Sequence, residues 1–267
     1  MKQLLILLFL FISCYSTAQD IKFYHEKTNT GYRLFADNNE FAPVSMNMNF
    51  TLENLRLHGN DVVVLEPNKS KQSIGELRII DRKKAYSFSV KRSFNFGDTF
   101  LEKYTENYEY LLPFPKDSSY LVIQGYNGNF SHQNKKAIDF RMPVGTPVLA
   151  AREGVVVQVV DANNKGCAGK ECLEFNNFIK ILHPDGTFAE YVHLKHQGVV
   201  VKKGDVVTKG QLIGYSGNTG WSSEPHLHFV VYLQQIFART TLPTLFKTDK
   251  DLDPRILERG NIYMNAL

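Results

Sequence analysis

The sequence contains no apolar run of the ~20 residues needed to span a bilayer, no block of five like charges, and only three cysteines. The first absence excludes a transmembrane span in the mature chain. The second removes the footprint expected of a nucleic-acid binder, so no nucleic-acid partner is expected. The third excludes a small disulfide-dense scaffold and a four-cysteine zinc site. Charge of one sign is also scarce: 31 basic against 27 acidic residues leave a formal net charge of +4. That balance suits work near an anionic polymer without demanding one. The apolar fraction of 43% and charged fraction of 22% are those of a folded globular protein, which excludes disorder and fibrous structure. A length of 267 residues allows one large or two ordinary domains.

The N-terminal segment has the three regions of a secretory signal. Lys2 precedes the apolar stretch Leu4 to Ile12, and Ser16-Thr17-Ala18 supplies small residues ahead of a cut. Cleavage after Ala18 makes residues 1–18 a signal peptide and the chain an exported protein, periplasmic or extracellular. Phe11-Ile12-Ser13-Cys14 is an alternative cleavage box that would leave Cys14 as a lipid-modified anchor. Export exposes Cys167 and Cys172, separated by Ala-Gly-Lys-Glu, to an oxidising compartment, where so close a pair reads as a local disulfide. The rival reading, half a zinc site, lacks a second pair.

Beyond the signal the expectation is a mainly β protein. Short alternating runs such as Met46 to Phe50 and Ala85 to Val90, punctuated by Gly59-Asn60 and Pro67-Asn68, predict a small β-sandwich-like domain over 19–115. Nothing catalytic stands out there. His25-Glu26 lacks the second histidine of a helical zinc motif, and His58 reads as a strand residue. Pro113 to Ser119 reads as a linker. Residues 116–240 predict an antiparallel β-sheet domain with strands near Val155–Val160, Phe178–Leu182, Phe188–His193 and His226–Leu233, and with a tight turn at Pro184-Asp185-Gly186. Residues 241–267 predict an extended tail packing on that domain.

Chemistry concentrates in the second domain. In His226-Leu227-His228 the two imidazoles share one face of a strand, while Leu227 and Phe229 face a core. His132 and Asp139 are separated by six residues. Asp139 lies between apolar Ile138 and Phe140, and so needs a partner: a lysine such as Lys135 or Lys136, a metal, or a set of donors. Tyr191-Val192-His193-Leu194 places Tyr191 and His193 on one strand face. His196 is a weaker candidate, and His183, ahead of the turn, reads as structural.

Taken together, the run Gly128 to His132 continuing through Ala137-Ile138-Asp139-Phe140, with Gly145-Thr146-Pro147-Val148, Tyr191-Val192-His193-Leu194, Gly214 to Gly220 and Pro225 to Phe229, resembles the LytM/lysostaphin-type zinc metallopeptidases. The likeness covers roughly Gln124 to Tyr232. It implies a LytM-like antiparallel catalytic sheet and hydrolysis of peptide bonds in peptidoglycan stems or cross-bridges. It further implies Zn2+ held by His132, Asp139 and His228, with His193 and His226 as catalytic histidines that are not ligands. Such a set fits catalytic zinc, which keeps three protein ligands and one open position. The sequence leaves open which of His193 and His226 is the main base. Many members of the family have only three residues between the first histidine and the aspartate. In latent members an upstream asparagine occupies the water position; Asn127 and Asn129 lie near His132, but neither is assigned that role. Asn218 and Trp221, ahead of the histidine pair, are candidate substrate-binding residues, and Tyr126 a weaker one.

Three other functions fit the sequence less well. A regulatory relative would lack ligands that are all present here. Val201 to Val207 resembles a lipoyl-carrier hairpin but has Gly204-Asp205 at its tip in place of a modifiable lysine. Gly214 to Asn218 lacks the last glycine of a serine nucleophile elbow. Oligomeric state is left open.

Overall fold

The computed structural model describes residues 20–249 and 252–267. The expected signal peptide and Cys14 therefore lie outside the described residues.

The N-terminal part consists of two small sheets. One orders Ile21–Thr28, Gly31–Asn38, Lys69–Ile79 and Leu55–His58; the other orders Val62–Leu65, Val44–Glu53 and Ser87–Phe96. Period-two alternation explains their shared core. Val44–Glu53 buries Met46 and Met48 against Leu34, Ala36, Leu65 and Leu77. His25 packs edge-on against Tyr32 and Phe88, and His58 sits opposite Glu76 in the ladder.

The second part is built on a nine-stranded sheet. Its central order is Gly154–Val160, Phe178–Leu182, Phe188–Val192, Leu227–Gln235, Ala137–Phe140 and Ser119–Gln124, all antiparallel. Asp185 closes the Pro184-Asp185-Gly186 turn by accepting hydrogen bonds from the amide and hydroxyl of Thr187. One face of the sheet carries Ile138, Phe140, Ile181, Tyr191, Leu227 and Phe229 into the main core. A three-stranded sheet of Pro147–Leu149, Leu212–Ser216 and Leu194–Val199 adds Val148, Ile213 and Leu194 to that core. The opposite face carries Asp139, Glu190, Val192, His228 and Val230.

Pro113 to Ser119, expected as a linker, instead anchors the second domain. Phe114 is fully buried and meets Tyr120 and Phe140 edge-on at 4.9 and 5.5 Å. A phenylalanine carries enough apolar area to draw its flanking backbone inward. At the other end of the chain, Leu245–Lys247 pairs with Glu109–Leu111, and Ile262–Met264 extends the large sheet beside Ser119–Gln124.

The two parts meet on the groove face of the large sheet. Ala42 and Phe96 pack on Ala137, Val157, Phe188, Val230 and Tyr232. Gly97 has φ +95°, and a Cβ there would lie 2.6 Å from the Phe188 ring, so glycine is what lets the chain pass. Buried Glu40 pairs with Lys203 at 2.5 Å across the junction. The helical content among the described residues is the 3-10 turn Lys170–Phe175, and no described helix is long and apolar enough to cross a membrane.

Candidate metal centre and active site

Three strands place the key side chains. Asp139 pairs with His228 in the ladder between Ala137–Phe140 and Leu227–Gln235, and Val192 pairs with His228 from the other side. Strand alternation thus sets Asp139 and His228 side by side on the groove face. His132 arrives from the turn-rich segment before Ala137, its backbone N–H bonded to the Gly128 carbonyl at 3.2 Å.

The three groups converge on a point. His228 Nδ1 lies 2.8 Å from Asp139 Oδ1, His132 Nε2 3.2 Å from the same oxygen, and the two histidine nitrogens 3.1 Å from each other. A tetrahedral zinc with ligand bonds of about 2.0–2.1 Å has an edge of roughly 3.3 Å between ligands, so this N/O/N set fits the ion. The outer atoms are already committed. His132 Nδ1 donates to the Gly125 carbonyl at 3.0 Å, leaving Nε2 to face the centre. Gln124 Nε2 donates to Asp139 Oδ2 at 2.7 Å, leaving Oδ1 for the centre. Such outer partners fix tautomer and orientation. Burial alone would raise the Asp139 pKa, but hydrogen bonds from His132 and His228 outweigh it and hold the carboxyl well below its usual range. Burial lowers the His228 pKa and favours a neutral, metal-ready ring.

Two further imidazoles border the same space. His193 Nδ1 donates to the Thr219 carbonyl at 2.8 Å. His226 Nδ1 lies 2.7 Å from the Glu224 carbonyl and 3.0 Å from Ser222 Oγ. In both rings Nε2 is left toward the cavity. The rings lie 4.5 Å apart, and His226 Nε2 is 3.9 Å from Asp139 Oδ1. Burial, with the neighbouring His226 and His228, pushes the His193 pKa down to about 3.

The expectation for Tyr191 and His193 needs correction. They do not share a face: Tyr191 is in the main core, its hydroxyl accepting from the Ala151 N–H, while His193 lines the cavity. The strand ends at Val192, and His193 takes φ +65°. This left-handed step breaks the alternation and turns the imidazole into the groove. Asp139 likewise finds its described ion-pair partners among His132, His226 and His228 and not at Lys135 or Lys136.

The cavity, about 430 Å³, is walled on one side by Phe130, Leu173 and Trp221. Trp221 is pinned by Nε1 donating to the Ala168 carbonyl at 2.7 Å and lies 5.5 Å from the Phe130 ring. Gly220 before it has φ +77°, and a Cβ there would strike Asn176. Cys167 and Cys172 lie as a close pair beside this wall, their Cα atoms 5.8 Å apart. Asn218 does not line the cavity; its side chain accepts from Ser222 Oγ at 2.6 Å, and so it acts one step behind His226. Tyr126 is engaged with Thr244, while Asn129 does reach the cavity. His183 and His196 do not line it. The rival motifs are absorbed structurally: Ser216 is buried and donates to the Pro143 carbonyl, and the Val201 to Val207 turn abuts Phe41 through Gly204.

Sequence reasoning missed Gln124, Thr219 and Ser222, which orient Asp139, His193 and His226, and Ser131, which holds Gln124. Their types are ordinary in strands and loops. The one available signal was proximity: Ser131 precedes His132, and Ser222 lies four residues before His226.

Comparison with known proteins bears on the same segment. Residues 133–238 match the family described as Peptidase family M23; Asp139, His193, His226 and His228 fall inside the match, and His132 stands immediately before it. An uncharacterized metalloprotease of Buchnera aphidicola is 37% identical over 162 residues, covering 58% of this chain and 39% of that protein. The peptidoglycan DD-endopeptidase ShyA of Vibrio cholerae is 36% identical over 122 residues, covering 43% of this chain and 26% of its own length. The match therefore spans well under half of these curated relatives. Among solved structures, the catalytic domain of lysostaphin from Staphylococcus simulans is 32% identical, with 52% of this chain and 89% of that one covered at a TM-score of 0.31.

Proposed function

We propose that this chain, whose residues 133–238 match peptidase family M23, is a zinc-dependent endopeptidase that hydrolyses peptide bonds in the stems or cross-bridges of bacterial peptidoglycan. The observation that carries the reading is the convergence of His132 Nε2, Asp139 Oδ1 and His228 Nδ1 within 2.8 to 3.2 Å of one another, beside two imidazoles whose Nε2 atoms face the same cavity. His132, Asp139 and His228 would hold the ion. When bound, zinc supplies a Lewis acid that polarises a carbonyl and makes water acidic enough to attack near neutral pH.

The other steps belong to the side chains. Burial favours the neutral form of His193, and with Nδ1 committed to the Thr219 carbonyl its Nε2 lone pair is left toward the cavity. His226 stands across the cavity with its Nδ1 tied down by Glu224 and Ser222. As the carbonyl becomes tetrahedral, one imidazole takes the proton of the attacking water and returns it to the leaving amine. The other, in its imidazolium form with a proton on Nε2 as well as on Nδ1, donates a hydrogen bond to the oxyanion. Trp221, Phe130 and Leu173 would bind the peptide and exclude water on the wall side. Export through residues 1–18 would bring the chain to its substrate, in a compartment that keeps Cys167 and Cys172 oxidised. The N-terminal domain, residues 19–115, would fix one end of the groove.

Purified chain incubated with cell-wall sacculi tests this. Soluble peptide-bearing fragments are expected with zinc, none after chelation, and recovery on adding zinc back. A zinc-loaded protein that releases nothing contradicts the proposal.

A further inference from the structure

We propose that Arg239, which lines this cavity beside Glu190 and shares that carboxylate with Lys180 behind it, forms a subsite for a substrate carboxylate lying within about two residues of the bond that is cut. The inference rests on reading the cavity as a peptidase groove.

The placement follows from the sheet register. His228 pairs with Val192, and Glu190 pairs with Val230, one two-residue step along the same strands. At about 3.4 Å per residue that step is roughly 7 Å, the length of two residues of an extended peptide. Lys180 faces Glu190 directly from the neighbouring strand. The groove-face neighbours of this step are apolar, with Phe178, Val192, Val230 and Phe188, so beyond the Asp139–His228 pair charge returns to the floor here.

The charges are arranged, not scattered. Lys180 Nζ is 3.3 Å from Glu190 Oε1, and the Tyr232 hydroxyl donates to the same oxygen at 3.1 Å. Arg239 Nη1 donates to Oε2 at 2.7 Å, with its guanidinium carbon 4.8 Å from the centre of the Tyr232 ring. Burial would raise the Glu190 pKa, but Lys180 and Arg239 outweigh it and hold the group ionised. Two cations therefore share one anion, leaving a unit of positive charge unmatched. Glu190 and Lys180 are sunk into the floor, with side chains 13% and 14% exposed, whereas Arg239 is 49% exposed. Glu190 engages one nitrogen of a guanidinium that offers five N–H donors in a planar fork, the geometry that recognises carboxylates. Apolar residues would stabilise this floor as well as a buried ion network does, which leaves recognition as the use of the arrangement.

The rest of the cavity points to the same ligand chemistry. Lys135 and Arg259 also line it, and Glu224, an acid on its wall, is neutralised by Arg141 at 2.9 Å. Just past Arg239 the floor ends. Phe188 and Tyr232 are covered by Ala42 and Phe96 of the N-terminal part, and the Phe96 ring lies 5.5 Å from Lys180 Nζ. A peptide running from the metal centre over Glu190 meets this wall within a few residues. The carboxylate is either the end of the peptide or an acidic side chain near the cut.

Trp221 is the sole tryptophan of the chain and lines the cavity, so its fluorescence reports binding independently of hydrolysis. The zinc-loaded full chain carrying His193→Ala, which blocks turnover, is titrated with two peptide pairs. One pair differs in a free against an amidated C-terminus, the other in an internal glutamate against glutamine with amidated ends. We expect at least tenfold tighter binding of the acid member in one pair, which identifies the source of the carboxylate. That preference should be abolished by Arg239→Gln and partly kept by Arg239→Lys. Equal affinities within both pairs, no binding of any peptide, or a preference undiminished in folded Arg239→Gln would overturn the proposal. If Arg239→Gln fails to fold, as thermal melting would show, the comparison with Arg239 intact decides. Acid preference in His193→Ala, beside an unsubstituted zinc-loaded chain that cleaves none of the peptides, would keep the carboxylate subsite and refute the peptidase reading instead.

Discussion

The rings of His193 and His226 lie 4.5 Å apart, although one stands just past the end of Phe188–Val192 and the other just before Leu227–Gln235. Neither is on a strand. Both are aimed by loop backbone, through the Thr219 and Glu224 carbonyls. The metal-facing pair Asp139 and His228, by contrast, sits within the sheet. The fold thus separates a rigid ligand shelf from a loop-held pair of imidazoles.

Gln124 supports that shelf, since it donates to Asp139 Oδ2 at 2.7 Å and to Ser131 Oγ at 2.8 Å. Gln124→Ala should leave the three ligands in place but weaken zinc affinity by about 10- to 100-fold, the usual effect of losing an outer partner. Competition against a chromophoric chelator measures it; an unchanged affinity would assign Gln124 to packing alone.

His183 makes stability depend on pH. It is buried, its Nδ1 donates to the Glu153 carbonyl at 2.7 Å, and its Nε2 is buried without a described partner. Burial pushes its pKa down to about 4, below the ~6.5 of an unfolded histidine. Between those values the unfolded chain binds a proton that the native chain refuses, so this contribution is complete above pH 6.5 and falls as pH drops toward 4. From pH 7 to pH 5 the loss should be roughly 2 kcal/mol. Denaturant unfolding at the two pH values should show that slope shrinking in His183→Gln; an identical slope would remove His183 as its source.

Phe188 joins the two parts of the chain. It is fully buried, stacks on Tyr232 at 5.6 Å and shares a cluster with Ala42. Phe188→Ala should cost about 3–5 kcal/mol and expose the segment between Phe96 and Glu109 to protease. Resistance equal to the unchanged chain would show that the junction is held elsewhere, at Glu40 and Lys203.

The Cys167–Cys172 pair should matter more to the groove wall than to the whole fold. Closing so short a loop contributes only about 2 kcal/mol in the chain-entropy account, yet Trp221 is fastened to Ala168 between the two cysteines. Reduction should shift tryptophan emission with little change in the melting temperature. A large loss of stability with unchanged emission would reverse that assignment.

Much of this was legible in the sequence because strand alternation is a local rule. It places Asp139 opposite Ile138 and Phe140, and His226 and His228 opposite Leu227. Alternation failed at His193, where a left-handed residue ends the strand and parts it from Tyr191. The linker expectation failed for a similar reason: Pro-Phe-Pro composition marks a break in regular structure, while burial of Phe114 is decided by Phe140, distant in the chain. Glu190 and Arg239 were invisible for want of any local signal. They become neighbours through the pairing of Leu227–Gln235 with strands on both sides.

The central claim divides five residues into three that hold zinc and two that move protons. Zinc content and fragment release from sacculi, measured together on the unchanged chain, His228→Ala and His193→Ala, test it most directly. The account predicts that His228→Ala loses both metal and activity, while His193→Ala keeps one equivalent of zinc and loses activity by at least about 100-fold, the contribution typical of a positioned acid–base group. Full zinc in His228→Ala, or full activity in His193→Ala, would contradict it.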